Sequence, residues 1–557
     1  VAPSRSRHFA LSALSALALA APLALIAGAP ASAAGPTLVV NASTTSAVPQ
    51  PGELGWAIEQ ANAVTGAATI DIQVDDILLG ADLPTITDGV EIRGNGVTID
   101  GDGWFRTGFF FQDAGGALRD ATLTGISGSP LAVSLAAGQS FALENVDAAT
   151  PSAPAVSLYV VPGSEVLVDG GRFHDSSVGI SVSGDGGSVE IEDASISDST
   201  SAGLSIDNTF GALSVVVRDT TIEGSGAHAV SGSLYDTSSL ELVDSRVSDA
   251  DGWGLRLDAF SGSTVSVIRT TLADNSYGGI SGFGNAFELV DSAISGGTIA
   301  GIEMDSVALT LTRSTVSGIE GPGVQTQVAE RLEVVNSTLS GNSGSGINAF
   351  VGTTARVSVE HSTVTANDGV GILVDGDAGG DDELRISHSI VAGNALGGGG
   401  AADIYVSDTD TAVAWSVIGS SRIIGAAIDG DPASWGVADP GLEPLADNGG
   451  PTLTHALADG SPAIDAGDPA IVSAPSTDQR GGLYLRVYDG VIDIGAVEMQ
   501  PTPVTPAEPA DPSDGGDAAP AELADTGADP VLVAGVITAL LLVGAVLVSV
   551  RRRPRRS

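Results

Sequence analysis

The sequence predicts an all-β chain wound into a right-handed parallel β-helix of about 13 to 14 coils. Three observations carry that expectation. One pattern recurs every 22 to 27 residues, with copies starting at 116, 141, 166, 189, 215, 240, 265, 287, 309, 332, 357 and 384 and weaker ones at Val90 and Thr411. Apolar residues then fall at offsets 0, 2, 7 and 15 of a copy, as in Leu332, Val334, Leu339 and Ile347, or Val357, Val359, Val364 and Ile372. The apolar runs alternate with a period of two and are separated by Gly, Ser, Asn and Asp, so each reads as a short strand ended by a turn. No copy has the helical spacing of a leucine-rich horseshoe, and no Trp-Asp recurs as a propeller blade requires. One turn per copy and three strands per turn stack the offset residues into interior columns, each coil rising about 4.8 Å.

A chain of 557 residues is too long for one ordinary core but normal for a solenoid. Its net charge is −46, and it has no Cys and no Lys, every basic residue being Arg. That excludes disulfides and thiol catalysis. An acidic surface repels nucleic acid and anionic lipid, and it either stays simply solvated or gathers cations. Without a lysine amine the chain cannot form a sortase-built pilus shaft or an internal Lys–Asn crosslink.

In chain order, residues 1–33 read as a secretory signal peptide: Arg5, Arg7 and His8 head an Ala/Leu run that ends in Ala31-Ser32-Ala33, with cleavage expected between Ala33 and Ala34. Residues 34–89 read as an N-terminal cap. Within it, 53–64 places Leu54, Ala57, Ile58 and Ala61 on one helix face, a lid for strand edges that would otherwise be open. Residues 90–436 are the β-helix repeats, and 437–499 carry Gly- and Pro-rich turns suited to a closing coil or C-terminal cap. Residues 500–522, rich in Pro, Ala and Asp, are a disordered or extended linker. Residues 523–557 hold LADTG (Leu523, Ala524, Asp525, Thr526, Gly527), an apolar run at 531–550 long enough to cross a bilayer, and a basic tail.

The stretch 50–103, with AIEQANA and LPTITDGVEIRGNGVTIDG, resembles the opening of bacterial surface proteins built on pectin-lyase-like parallel β-helices. Four ordered motifs, DNGGPTLTHAL (447–457), GSPAIDAGDP (460–469), DQRG (478–481) and DIGAVE (493–498), resemble the choice-of-anchor Q domain. That resemblance implies a β-helical surface protein ending just before its anchor, with no catalysis attached to the domain. The C-terminal triplet of pentapeptide, apolar run and basic tail is similar to the LAxTG sorting signal of high-GC Gram-positive bacteria. It implies a sortase and peptidoglycan as partners, attack of the sortase thiol on the Thr526 carbonyl, and membrane contact through 531–550 only before sorting. Ala524 stands where the commoner signal has Pro, which leaves the sortase class open.

Three sets of polar residues could carry chemistry. At offset 4, Asp244 with Arg269 and Asp291 with Arg313 would alternate in sign along the rod, while Asp193, Asp219 and Asp244 would stack as like charges that splay into water, share a proton or hold a cation. His361 above His388 reads as a stacked turn row. At offset 10, Asn275, Asn342, Asn367 and Asn394 read as an internal amide ladder in left-handed turns. The loop 375–383, DGDAGGDDE, offers Asp375, Asp377, Asp381 and Asp382 but departs from the calcium-loop pattern at Gly379 and Ile386, so it is a solvated loop or a loose calcium site. No other cofactor is indicated.

Two function classes remain. Pectate lyases and polygalacturonases use this fold, but the NTD, HG and RIK motifs of polygalacturonase-like chains are absent, and only 15 Arg remain in the exported part. The even copy length leaves no long insertion to wall a cleft. The balance favours a non-catalytic, cell-wall-anchored adhesin, glycan-binding rod or wall coat that meets an extracellular polysaccharide or another surface. The alternative is a polysaccharide lyase or glycoside hydrolase.

Overall fold

Period-two runs of Val, Ile and Leu cannot bury both faces alone, so each coil closes its inner face against the coils above and below. The computed structural model describes residues 35–501, apart from 65, 104–106, 209, 378–379, 397–399, 402, 425–427, 430–433 and 438. In it the chain winds into about 14 parallel coils. A first ladder runs through Phe141, Val166, Val189, Val215, Leu240, Val265, Phe287, Leu309, Leu332, Val357, Leu384 and Thr411 as successive register partners. These are the positions from which the sequence copies were counted. A second ladder carries Ile196, Ile222, Val247, Leu272, Ile294, Val316, Leu339 and Val364. The third carries Leu204, Val230, Leu255, Ile280, Ile302, Val324, Ile347 and Ile372. All three point inward into one continuous buried cluster.

Helix α1, Leu54–Asn62, precedes the regular coils; it buries Leu54, Ala57, Ile58 and Ala61 against the strands Thr37–Val40 and Ala68–Ile72. The expected signal peptide with Ala33 and Ala34, the expected linker from 502 onward, the LADTG residues Leu523 to Gly527 and the run 531–550 lie outside the described residues. Among the described residues no helix is long and apolar enough to cross a membrane.

The corner between the first and second ladders is one residue wide and left-handed. Asp120, Asn145, Gly170, Asp193, Asp219, Asp244, Arg269, Asp291, Arg313, Asn336, His361 and His388 all have φ between +46° and +68°. This is the offset-4 row, and the backbone is the reason Asp and Asn dominate it: their short polar side chains tolerate this region. The strain at Arg269, Arg313, His361 and His388 is offset by the coil above, which accepts each corner N–H, as in Arg269 to Val290 and His361 to Ser387. The next residue adds a second tie. Thr220, Ser245, Thr270, Ser292, Ser314, Ser337, Ser362 and Ser389 are buried, and in each neighbouring pair the N–H of one donates to the hydroxyl of the next at 3.0–3.2 Å. The asparagine ladder also forms: Asn342 Nδ2 donates to Asn367 Oδ1 at 2.9 Å, and Asn367 Nδ2 to Asn394 Oδ1 at 2.8 Å. Its expected left-handed backbone is corrected, however. The positive φ belongs to the preceding residue, Asp274, Gly341, Ala366 or Gly393, while the asparagine turns inward to bond its copies.

Residues 437–500 do not add a coil. They run along the outer face of the second ladder, where that face carries small hydroxyl residues instead of long charged ones. Gln479 Nε2 donates to Thr315 Oγ1 at 2.8 Å and its Oε1 accepts from Thr338 at 2.6 Å, while Ala496 N donates to Thr363 Oγ1 at 3.0 Å. Ile390, Ala392 and Val417 of the coils pack there against Leu457, Ala463 and Ile494. The segment is held internally by buried charges. Arg480 reaches Asp478 and the Glu498 carbonyl, each at 2.6 Å, and lies over the Tyr484 ring. Arg486 is fully buried and bonds the Gly495 carbonyl at 2.8 Å, the Asp493 carbonyl at 3.0 Å and Glu498 Oε2 at 3.3 Å. The sequence motifs of this region are therefore docking and locking residues: DQRG supplies Asp478, Gln479 and Arg480, and DIGAVE supplies Asp493, Ala496 and Glu498.

Three buried histidines sit in this interface in neutral form. His388 Nε2 accepts the Asp468 N–H at 3.2 Å, and His455 Nε2 lies 2.7 Å from the Ser340 hydroxyl. Burial pushes all three imidazoles down; in His361, stacked on His388 with nearby Arg486 acting in the same direction, the value falls to about 2. A folded value below the ordinary 6.5 stabilises the fold above that pH, and the contribution is lost as pH falls toward 2. Glu498 is pushed up to about 7 by burial and acts with the opposite sign between its ordinary 4.5 and 7. Asn accepts the left-handed corner and does not titrate, so His361→Asn should flatten the acid limb of the stability curve by about 1.4 kcal/mol per pH unit below 6.5. Urea unfolding at successive pH values checks this; an unchanged acid slope would count against a neutral His361.

Candidate functional site

Along the third ladder the inward residues alternate with an exposed column. Successive register partners in that column are Asp207, Ser233, Asp258, Phe283, Asp305, Gln327, Phe350 and Asp375. Phe283 is 51% exposed and Phe350 46%. Phe283 packs at 5.4 Å against Phe260, which stacks at 4.8 Å on Tyr235. Three coils separate Phe283 from Phe350, roughly 14 Å at the sheet spacing. Beside Phe283 and Phe260 lies a groove of 470 Å³ edged by Asn285, Asp305 and Gln327. The neighbouring outward column adds Arg256, which bonds Asp258 at 3.0 Å, together with Glu303, Gln325 and Asn348.

Flat rings beside planar amides and carboxylates suit a sugar chain. The C–H face of a pyranose packs on a ring, and its hydroxyl edge takes hydrogen bonds from amide and carboxylate groups. Asp207, Asp258, Asp305 and Asp375 make the same face repel polyanions, so a neutral polysaccharide fits it better than a polyuronate. The sequence reading passed over these aromatics. Their signal was available: offset 18 of a copy is an outward position, and Phe283 and Phe350 both occupy it in a chain with only 12 Phe.

A second, polar groove of 660 Å³ lies on the uncovered part of the second ladder and includes Asn95, Asp120, Asn145, Asp147 and Arg172. Beside it His174 is held between two carboxylates, Asp147 Oδ1 at 2.9 Å from Nε2 and Asp175 Oδ2 at 2.7 Å from Nδ1. This too was not singled out in the sequence, because the groups come from adjacent coils.

The residues that the sequence did single out are distributed as follows. Arg269 pairs with Asp244 and Arg313 with Asp291, each through two bonds of 2.6–2.7 Å, so the sign alternation forms two separate ion pairs. The exposed Arg269–Asp244 pair contributes little, while Arg313–Asp291 is half-buried. Asp193 and Asp219 are exposed at the corner, while Asp375, Asp377 and Asp381 are exposed and Asp382 is buried. Among the described residues no three His, Asp or Glu side chains converge as metal ligands.

In comparison with known proteins, the central coils are similar to one family: a family model described as "Right handed beta helix region" matches residues 233–396. The parallel solenoid of the fold agrees with that description. Among solved structures, the crystal structure of pectate lyase Pel9A is similar at 14% identity, with 84% of this chain and 97% of that chain covered and a TM-score of 0.30. No curated protein matches the sequence.

Proposed function

We propose that the protein is a non-catalytic cell-surface rod that binds neutral extracellular polysaccharide along the outer face of its third ladder. The observation that carries this reading is the pair of exposed rings Phe283 and Phe350, the first backed by half-buried Phe260 and Tyr235, set among amides and carboxylates on a regular surface. Repeated weak contacts along such a face add up, because each bound sugar raises the local concentration of the next. In this reading residues 1–33 direct export, α1 caps the first coils, and 437–499 is a choice-of-anchor Q-like segment. A sortase then joins Thr526 to peptidoglycan. The test is retention of the purified protein on insoluble neutral polysaccharides. Phe283→Ala with Phe350→Ala should weaken retention at least tenfold while leaving the circular dichroism spectrum unchanged. Equal retention of variant and wild type would remove this face from the reading.

A second reading, a polysaccharide lyase or glycoside hydrolase, is favoured by the second-ladder groove, where His174 between Asp147 and Asp175 offers an acid–base group beside Arg172. Product release from a polysaccharide panel, abolished by His174→Gln, would support it.

A further inference from the structure

Asp382 is 1% exposed, and neither of its carboxylate oxygens has a hydrogen-bond partner. A bare ionised carboxylate in that position is strongly unfavourable without a counter-charge or a proton. The arginines nearest in the register do not supply the charge: Arg356 and Arg385 both turn to Glu383. The surroundings are instead made of oxygen. A Cβ at Gly376 would collide with Asp382 Oδ2 and Thr409 Oγ1, and one at Gly380 would collide with Asp382 Oδ1 and lie 3.1 Å from the Thr353 carbonyl oxygen. Neighbouring coils thus set the Thr409 hydroxyl on the Oδ2 side of the carboxylate and the Thr353 carbonyl, which also accepts the Asp381 N–H at 2.7 Å, on its Oδ1 side, and glycine is the residue that leaves room for them. The same loop carries the exposed carboxylates Asp375, Asp377 and Asp381, which add negative potential nearby.

We propose that the Asp382 carboxylate and the oxygens beside it form a calcium site, with Asp382 as its one buried charged ligand, completed by Thr409 Oγ1, the Thr353 carbonyl and water. An all-oxygen set of uneven geometry suits calcium, whose coordination is adaptable, better than magnesium, which demands a near-regular octahedron. A single buried carboxylate makes the site weak, with a dissociation constant on the order of 0.1–1 mM, the range of extracellular calcium modules. Bound calcium would tie the turn of one coil to the turns above and below it.

The experiment is titration of the metal-free full-length protein with calcium chloride, read by calorimetry and by hydrogen exchange of residues 375–383. Calcium should slow exchange in that segment at least tenfold, and equimolar magnesium should not. Asp382→Asn should fold without calcium at least as well as wild type and lose the response. Thr409→Val, which keeps shape and removes the hydroxyl, should weaken calcium binding several-fold. Absence of a calcium response in wild type, or the same response in Asp382→Asn, would overturn the proposal. So would exchange in 375–383 that follows pH and ignores calcium, since the carboxyl would then be neutralised by a proton.

Discussion

Replacing Thr526 with alanine is expected to move the whole population of the protein from the wall to the membrane. The wild-type chain, in the proposed reading, stalls at 531–550, presents LADTG to a sortase, and is cut between Thr526 and Gly527 as the sortase thiol takes the Thr526 carbonyl. The new carboxyl then passes to a wall amine. Wild type should resist boiling detergent and come off only after wall digestion. Thr526→Ala should be extracted fully by detergent. If wild type is also detergent-soluble, 531–550 is a permanent anchor and the sorting reading is wrong.

Arg486→Leu is expected to cost about 3–5 kcal/mol, the range for breaking a buried ion pair from one side. The change removes bonds to the Gly495 and Asp493 carbonyls as well as to Glu498, and leaves all three without that donor. Glu498, already pushed up to about 7, would take up a proton and soften the loss. The double variant Arg486→Leu, Glu498→Leu should recover part of it, because two apolar groups avoid the stranded charge. A solenoid can unfold in sections, so the readout is segmental: hydrogen exchange and proteolysis should show 437–500 opening first, with the coils at 166–300 unaffected. A loss below about 1 kcal/mol would mean that the network is dispensable.

The coils were legible because a β-helix writes its geometry as a repeat. Each copy start, from Phe141 to Leu384, became a register partner of the next, and even the weak copies at Val90 and Thr411 fell in line. The inward columns were readable for the same reason, since alternation alone separates Ile347 from Asn348. What lay across coils was harder. The hydroxyl ladder from Thr220 to Ser389 occupies a constant offset, yet Ser and Thr also fill turns, so composition hid it. The lateral docking of 437–500 depends on Gln479 meeting Thr315, 164 residues away, a contact no local pattern encodes. The Asp147–His174 contact and the buried, unpaired state of Asp382 likewise arise only once neighbouring coils are stacked.

The docked segment also has a mechanical meaning. In a chain held from beyond residue 501, tension enters at Gln500 and meets 437–500 before it reaches any coil. The bonds from Gln479 to Thr315 and Thr338 and from Ala496 to Thr363 lie on successive coils and share such a load in shear. The last coils are thereby shielded from peeling one at a time, the mode in which a stack of parallel strands is weakest. Pulled from that end, the chain would give way at this clasp before the coils unravel, and re-docking would restore it without refolding the solenoid.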